Sequence, residues 1–209
     1  QPIVSADSLN ANIGSLMSRV VGTNNPHTGM PSNVAVFPNA VDDEEPGPFN
    51  QFGVFASSGP FSKGYSPFVP GGGGELQKNM QLSIDRTRLG DRKRLLSGLD
   101  RIRRNVDATG VLEGTDRFQQ QAFDVVLGGV ADAFDLAGEN PKTVERYDTA
   151  HLTRFEEWKD KNNKNHYKAN SQSLGKLLLL ARRLCENGCN FVTVTTSFVW
   201  DMHADVNNL

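Results

Sequence analysis

At 209 residues the chain is long enough to bury a substantial core as a single domain. Its 22 Lys and Arg against 24 Asp and Glu leave a formal charge of -2, which argues against a surface built as a whole for nucleic acid and against an acidic tail. No apolar run approaches the roughly 20 residues of a membrane span. No charged-then-apolar signal segment follows Gln1, there is no initiator Met, and the chain stops at Leu209 soon after its most informative motif. It reads as an internal piece of a longer protein.

One incomplete domain is expected. It is organised as a helix over 1–20, an irregular loop-rich layer over 21–85, a helical layer over 86–160, and a core helix and strand with a metal-site loop over 170–209. In the first stretch Leu9, Ile13, Leu16, Met17 and Val20 recur at helical spacing, with Asp7 or Ser8 as N-cap. The second stretch is rich in Pro and Gly, and only Asn33 to Phe37 reads as a strand within it. Its scattered Phe49, Phe52, Phe55, Phe61 and Phe68 argue for an ordered layer anchored by aromatics, since disordered segments lack them. Gly71 to Gly74 are not followed by the Lys-Ser/Thr of a phosphate loop and read as a hinge.

Residues 86–104 carry eight Arg or Lys beside an apolar stripe of Leu95, Leu96, Leu99 and Ile102. That is a basic face for polyanions or, more plainly, the solvated side of an amphipathic helix. A helix fits Gly114 to Leu127, with Thr115 as N-cap and Phe118, Ala122, Val125 and Val126 facing inward. Gly128-Gly129 breaks it, and Val130 to Leu136 resume as a turn or two. Asn140-Pro141 opens a short helix through about Tyr147. Residues 151–170 are polar and read as a surface helix and loop, held by Phe155 and Trp158.

From Asn170 the pattern sharpens. Leu174, Leu177, Leu178, Ala181 and Leu184 form one helical stripe, while Leu179 and Leu180 fall off it, so cover on more than one side is expected. Ser171 or Ser173 caps the start, and Gly188 sits where a left-handed residue closes the end. Phe191 to Thr196 is apolar or β-branched throughout, as in a strand of a parallel sheet buried on both faces. Beyond it stands Trp200-Asp201-Met202-His203. The carboxyl end of a parallel strand is where open α/β folds place their ligands.

Asp201 and His203 are the leading candidates for chemistry. A carboxylate and a neutral imidazole are natural ligands of zinc or a similar divalent ion, and Asp205 offers a third oxygen. The plainer alternative is a loop Asp capping a helix beside an exposed His. His203 also suits a general base, but no nucleophile is assigned to it by spacing. His27, His151 and His166 show no ligand spacing, and only His27, in the loop Asn24 to Met30, is kept as an outside candidate. Cys185 and Cys189 read as two small buried hydrophobes, a strained local disulfide, or half of a metal site.

The segment LLLLARRLCENGCNFVTVTTSFVWDMH resembles a stretch, roughly ARRL-x-E-x-G-x-x-FV-x-V followed by WD-x-H, of a large bacterial family of unassigned function. That family is abundant in planctomycetes and is placed with the alkaline phosphatase and sulfatase superfamily. DRKRLLSGLD, DRFQQQAFDVV and ADAFDLAGENPKTVERYD resemble its helices, and residues 25–38 its loop into an apolar-Pro strand, all in matching order. The resemblance implies an α/β fold with a mixed central sheet flanked by helices and a long irregular Gly/Pro-rich segment. It also implies metal-dependent hydrolysis of phosphate or sulfate esters, small-molecule or carbohydrate, with a divalent ion such as zinc or calcium held by Asp201 and His203. Export to the periplasm or the exterior follows from the family's habit. Two departures stand out. Better-known members of the superfamily space the pair Asp-x-x-x-His, not Asp201-Met202-His203. The segment where a nucleophile would lie is missing, as are later segments resembling GEFGRTP and GRDHW, so this piece is expected to be catalytically incompetent.

Three readings follow: a fragment of a sulfatase-like or phosphatase-like hydrolase, a non-catalytic secreted or surface binding protein on the same fold, and a polyanion-binding module built on residues 86–104.

Overall fold

A computed structural model describes residues 11–45, 47, 56–71, 125, 130–152, 154, 156 and 164–196. Among these, a parallel pair of strands positions everything else. β1 (Asn33–Val36) and β2 (Phe191–Val194) pair in the register Asn33 with Phe191, Val34 with Val192, Ala35 with Thr193 and Val36 with Val194. Thr195 extends the ladder by donating its N–H to the Val36 carbonyl (3.0 Å).

The expected strand at Asn33 to Phe37 is therefore present, and it is the buried one. Val34, Ala35 and Val36 are wholly shielded. On the side away from β2, Ala35 donates to the Phe68 carbonyl and Phe68 donates to that of Asn33, both at 2.9 Å. A central position explains why every β1 residue is apolar or shielded. β2 differs from expectation. All four of its residues are only partly buried, and among the described residues β1 is its one strand neighbour. Its uninterrupted apolar run suggested two covered faces, but the β-branched Thr193 and Thr195 tolerate partial exposure equally well.

Parallel pairing requires a crossover between the strands. Its return leg is α3 (Lys164–Glu186), numbered after α1 (Ile13–Val21) and α2 (Pro141–Arg146). The helix begins before either expected cap: Ser171 and Ser173 lie inside it and donate their hydroxyls back to the carbonyls of Lys168 and Asn170. Its end follows the sequence. Gly188 has φ 99°, its N–H donates to the Cys185 carbonyl (3.0 Å), and Cys189 N–H reaches back to that of Leu184 (2.9 Å). This paired closure is the left-handed stop a glycine permits. Leu177, Leu180 and Leu184 pack with Val34, Val36, Val192 and Val194 in one core that also takes in Phe134 and Met30.

Arg183 ties the segment before α2 to this helix. It donates to the Asp132 carbonyl (2.8 Å) and the Ala133 carbonyl (3.3 Å) and pairs with Glu139 (2.8 Å). Its guanidinium, with the Asn140 backbone N–H, holds the Glu139 carboxyl below the usual carboxylate range. Val130 to Phe134 and Leu136 to Gly138 form 3₁₀ turns here, close to the expected extra turns. α2 follows with Asn140 as its cap, the Asn side chain accepting from Lys142 N–H and Pro141 in the first turn, as the sequence indicates.

α1 covers the opposite face of the strand pair, where Asn33 and Phe191 stand against Gly14. Its cap is Asn12, not Asp7 or Ser8: the Asn12 side chain accepts from Ser15 N–H (2.7 Å) while its amide donates to the Ser57 carbonyl (2.8 Å). The helix turns its small residues inward. Gly14, Ser15 and Ser18 are buried, whereas Ile13, Leu16, Val20 and Val21 are exposed. Of the expected aromatic anchors, Phe68 packs edge-on against Phe134 (5.8 Å) and Phe61 lies under the Arg19 guanidinium (4.8 Å). The basic segment 86–104, the helix read over 114–127 except Val125, and Phe49, Phe52, Phe55, Phe155 and Trp158 lie outside the described residues.

Candidate functional site

Because the strands are parallel, both end at the same edge of the sheet. β1 runs out at Val36 into Phe37 and a 3₁₀ turn, Pro38–Ala40; β2 runs out at Val194 into Thr195 and Thr196. The described chain ends at this edge with Thr196, five residues before Asp201 (201 - 196 = 5). Asp201, His203 and Asp205 themselves lie outside the described residues.

Two polar oxygens mark the edge. Asn39 Oδ1 and Thr195 Oγ1 are shielded from solvent and have no hydrogen-bond partner. Leaving such a group unsatisfied costs on the order of 1–3 kcal/mol. Thr195 stands opposite Phe37 by the register of the ladder, and Asn39 follows two residues later. The Asn39 amide sits against Gly47. A Cβ built there would stand 3.1 Å from its nitrogen and 3.8 Å from its oxygen. Neither residue was singled out from the sequence. The available signal was positional: each is the first side-chain hydrogen-bonding group after its strand.

The other end of the sheet is built differently. The loop Asn24 to Met30 is closed by Asn25, whose N–H donates to the Met30 carbonyl (2.7 Å) and whose side chain accepts from the backbone of His27 and Thr28. Asn25 and Thr28 donate to the carbonyls of Gly188 and Asn187, at the turn that enters β2. His27 thus lies at the amino end of the strands, across the sheet from the edge that leads to Asp201. It is exposed, as is His151. Among the described residues, no three His, Cys, Asp or Glu side chains come together as a metal site.

Cys185 and Cys189 are free thiols, which removes the local disulfide. Only Cys189 is buried; Cys185 is exposed on the last turn of α3. Burial pushes the Cys189 thiol up to about 12 from its ordinary 9.0. The thiolate is the reactive form, so a maleimide at neutral pH should modify Cys185 alone in the folded protein and both thiols in denaturant, read by mass spectrometry. The same shift sets a pH dependence. The folded state disfavours the Cys189 thiolate, so its contribution is intact below pH 9 and is lost as pH rises from about 9 towards about 12. Replacing Cys189 by Ala should flatten that decline in urea titrations.

The described part is thus a parallel strand pair with helices on both faces. The chain belongs to the family described as protein of unknown function (DUF1501), whose pattern matches residues 4–209. No curated protein and no solved structure matches it. No helix of the described residues is long and apolar enough to cross a membrane.

Proposed function

We propose that the chain is part of an exported, metal-dependent hydrolase of phosphate or sulfate esters, of the alkaline phosphatase and sulfatase superfamily. Asp201 and His203 hold a divalent ion such as zinc or calcium. The observation that carries the reading is the direction of β2. A parallel strand paired to a buried neighbour ends at Val194, and 201 - 194 = 7 residues later the chain reaches Asp201. Ligand sites of open α/β sheets lie outside the carboxyl ends of such strands. The sequence resemblance supplies the chemistry and the export.

A bound ion would supply Lewis acidity toward the ester oxygen. What this chain contributes is placement: Asp201 brings charge, and His203 brings a nitrogen donor two residues on. Elemental analysis of the full-length protein tests this, wild type beside Asp201→Ala and His203→Ala. Stoichiometric divalent metal in the wild type should fall to background in both variants. A folded wild type that takes up no metal from zinc, calcium or magnesium solutions would sink the hydrolase reading.

A further inference from the structure

We propose that α1 and the 3₁₀ turn Lys63–Tyr65 beside it form a docking face for the surface of an anionic lipid bilayer. The helix is amphipathic in the reverse sense to an ordinary surface helix. Gly14, Ser15 and Ser18 are buried, while Ile13, Leu16, Val20 and Val21 face outward, Ile13 at 68% and Val20 at 82% exposure. At 3.6 residues per turn these four fall within about 140° of the helix circumference. The inward seam is fixed. A Cβ on Gly14 would meet Asn33 and Phe191, and the Asn12 amide donates to the Ser57 carbonyl (2.8 Å). The aliphatic stripe is therefore a standing feature of the folded surface.

Charge identifies what covers it. Residues 8–41 and 46–74, which supply α1 and the turn beside it, contain no Asp or Glu, although the chain has 24. Their cations border the stripe. Arg19 lies over the Phe61 ring (4.8 Å), Phe61 meets Tyr65 edge-on (6.2 Å), and Lys63 is exposed in the same turn. Among the described residues no carboxylate pairs with Arg19 or Lys63, whereas on α3 Arg183 is answered by Glu139 and Arg182 by Glu186. Aliphatics bordered by aromatics and unpaired cations suit a membrane interface. The aliphatic chains enter the acyl boundary, the Tyr ring sits at headgroup depth, and the cations meet lipid phosphates. A protein groove would have to match the outline of the stripe; a bilayer conforms to it. With nine residues α1 is too short to span, so it lies in the plane of the surface.

Co-sedimentation of the full-length protein tests this, with vesicles of phosphatidylcholine alone beside vesicles that also contain phosphatidylglycerol. Binding to the anionic vesicles should be at least about tenfold stronger and should weaken as salt is raised. Leu16→Glu combined with Val20→Glu should abolish it, and Lys63→Glu should weaken it by about tenfold. Leu152→Glu, which adds a carboxylate at an exposed aliphatic on another element, should bind as wild type does. All these variants should keep the wild-type thermal midpoint, since the replaced side chains face solvent. A folded wild type that stays in the supernatant with both vesicles overturns the proposal. Equal binding by the Leu16/Val20 double variant and by Leu152→Glu does so too. A lipid-free dimer in analytical ultracentrifugation that the double variant dissociates would make the stripe a contact between copies, and would also overturn it.

Discussion

Gly175→Ala should destabilise the protein by about 3 kcal/mol, although propensity alone predicts the opposite sign. In the middle of a helix alanine is favoured over glycine by roughly 1 kcal/mol. Here the added Cβ would coincide with the backbone carbonyl oxygen of Tyr147, an atom with no freedom to step aside. The close approach has a second element. The Gly175 N–H donates to Thr149 Oγ1 (3.0 Å), and that hydroxyl donates to the Ser171 carbonyl. Gly175 and Ser171 are the two ends of an ordinary helical i to i-4 bond, so Thr149 has inserted its hydroxyl into the ladder of α3. Moving α3 outward to admit a methyl would break both links. A fall in urea midpoint with unchanged slope would show it. Thr149→Val should cost about 1–3 kcal/mol by stranding the same two groups, while Thr149→Ser should be close to neutral. A Gly175→Ala protein as stable as wild type would mean that α3 does not pack on Tyr147 as described.

Local chemistry was legible in the sequence wherever one residue decides one conformation. Gly188 closing α3, Asn140-Pro141 opening α2, and Asn33 to Val36 as a strand were all readable because φ, capping and β-branching act within a few residues. What was not legible depends on partners far away in the chain. The central strand proved to be β1, because Phe68 pairs on its far side, and no local pattern at Val34 announces that. Nor does the α1 pattern say which side faces inward. The stripe Ile13, Leu16, Val20 reads as a core face, yet Gly14, Ser15 and Ser18 allow the close contact with Asn33 and Phe191 and are the buried set.

The candidate site divides in the same way. The parallel direction of β2, which sends the chain toward Asp201 from the carboxyl edge, follows from its β-branched run after a helix. Asn39 lies 156 residues away (195 - 39 = 156) from Thr195, and only the register of the two strands brings them to one edge. His27 shows the reverse. Its loop looks free to reach a site, but Asn25 and Thr28 bind it to the turn at Asn187 and Gly188. A substitution of His27 should therefore leave cation binding at the other edge unchanged.

Leu180→Ala and Leu178→Ala, neighbours on α3, should differ by several kcal/mol. Leu180 is 1% exposed and belongs to the core with Val34 and Val36; Leu178 is 43% exposed. Truncating a buried leucine removes its transfer free energy and leaves a cavity, together about 2–5 kcal/mol. At Leu178 water already covers much of the side chain, so the loss should stay below about 1 kcal/mol. Sequence spacing alone does not separate the two, since Leu178 falls on the stripe with Leu174 and Ala181 while Leu180, off it, is expected to be covered from a second side. The structure instead aligns Ser173, Leu177, Leu180 and Leu184, all buried, at steps of four, three and four. That row faces β1 and β2, because the core it joins contains Val192 and Val194. Loosening it would let the end of α3 shift and carry with it the entry to β2. Leu180→Ala should therefore lower both the thermal midpoint and, if Asp201 and His203 hold an ion, the metal affinity, whereas Leu178→Ala should change neither. Equal losses in the two variants would show that α3 is rotated about its axis from the orientation described.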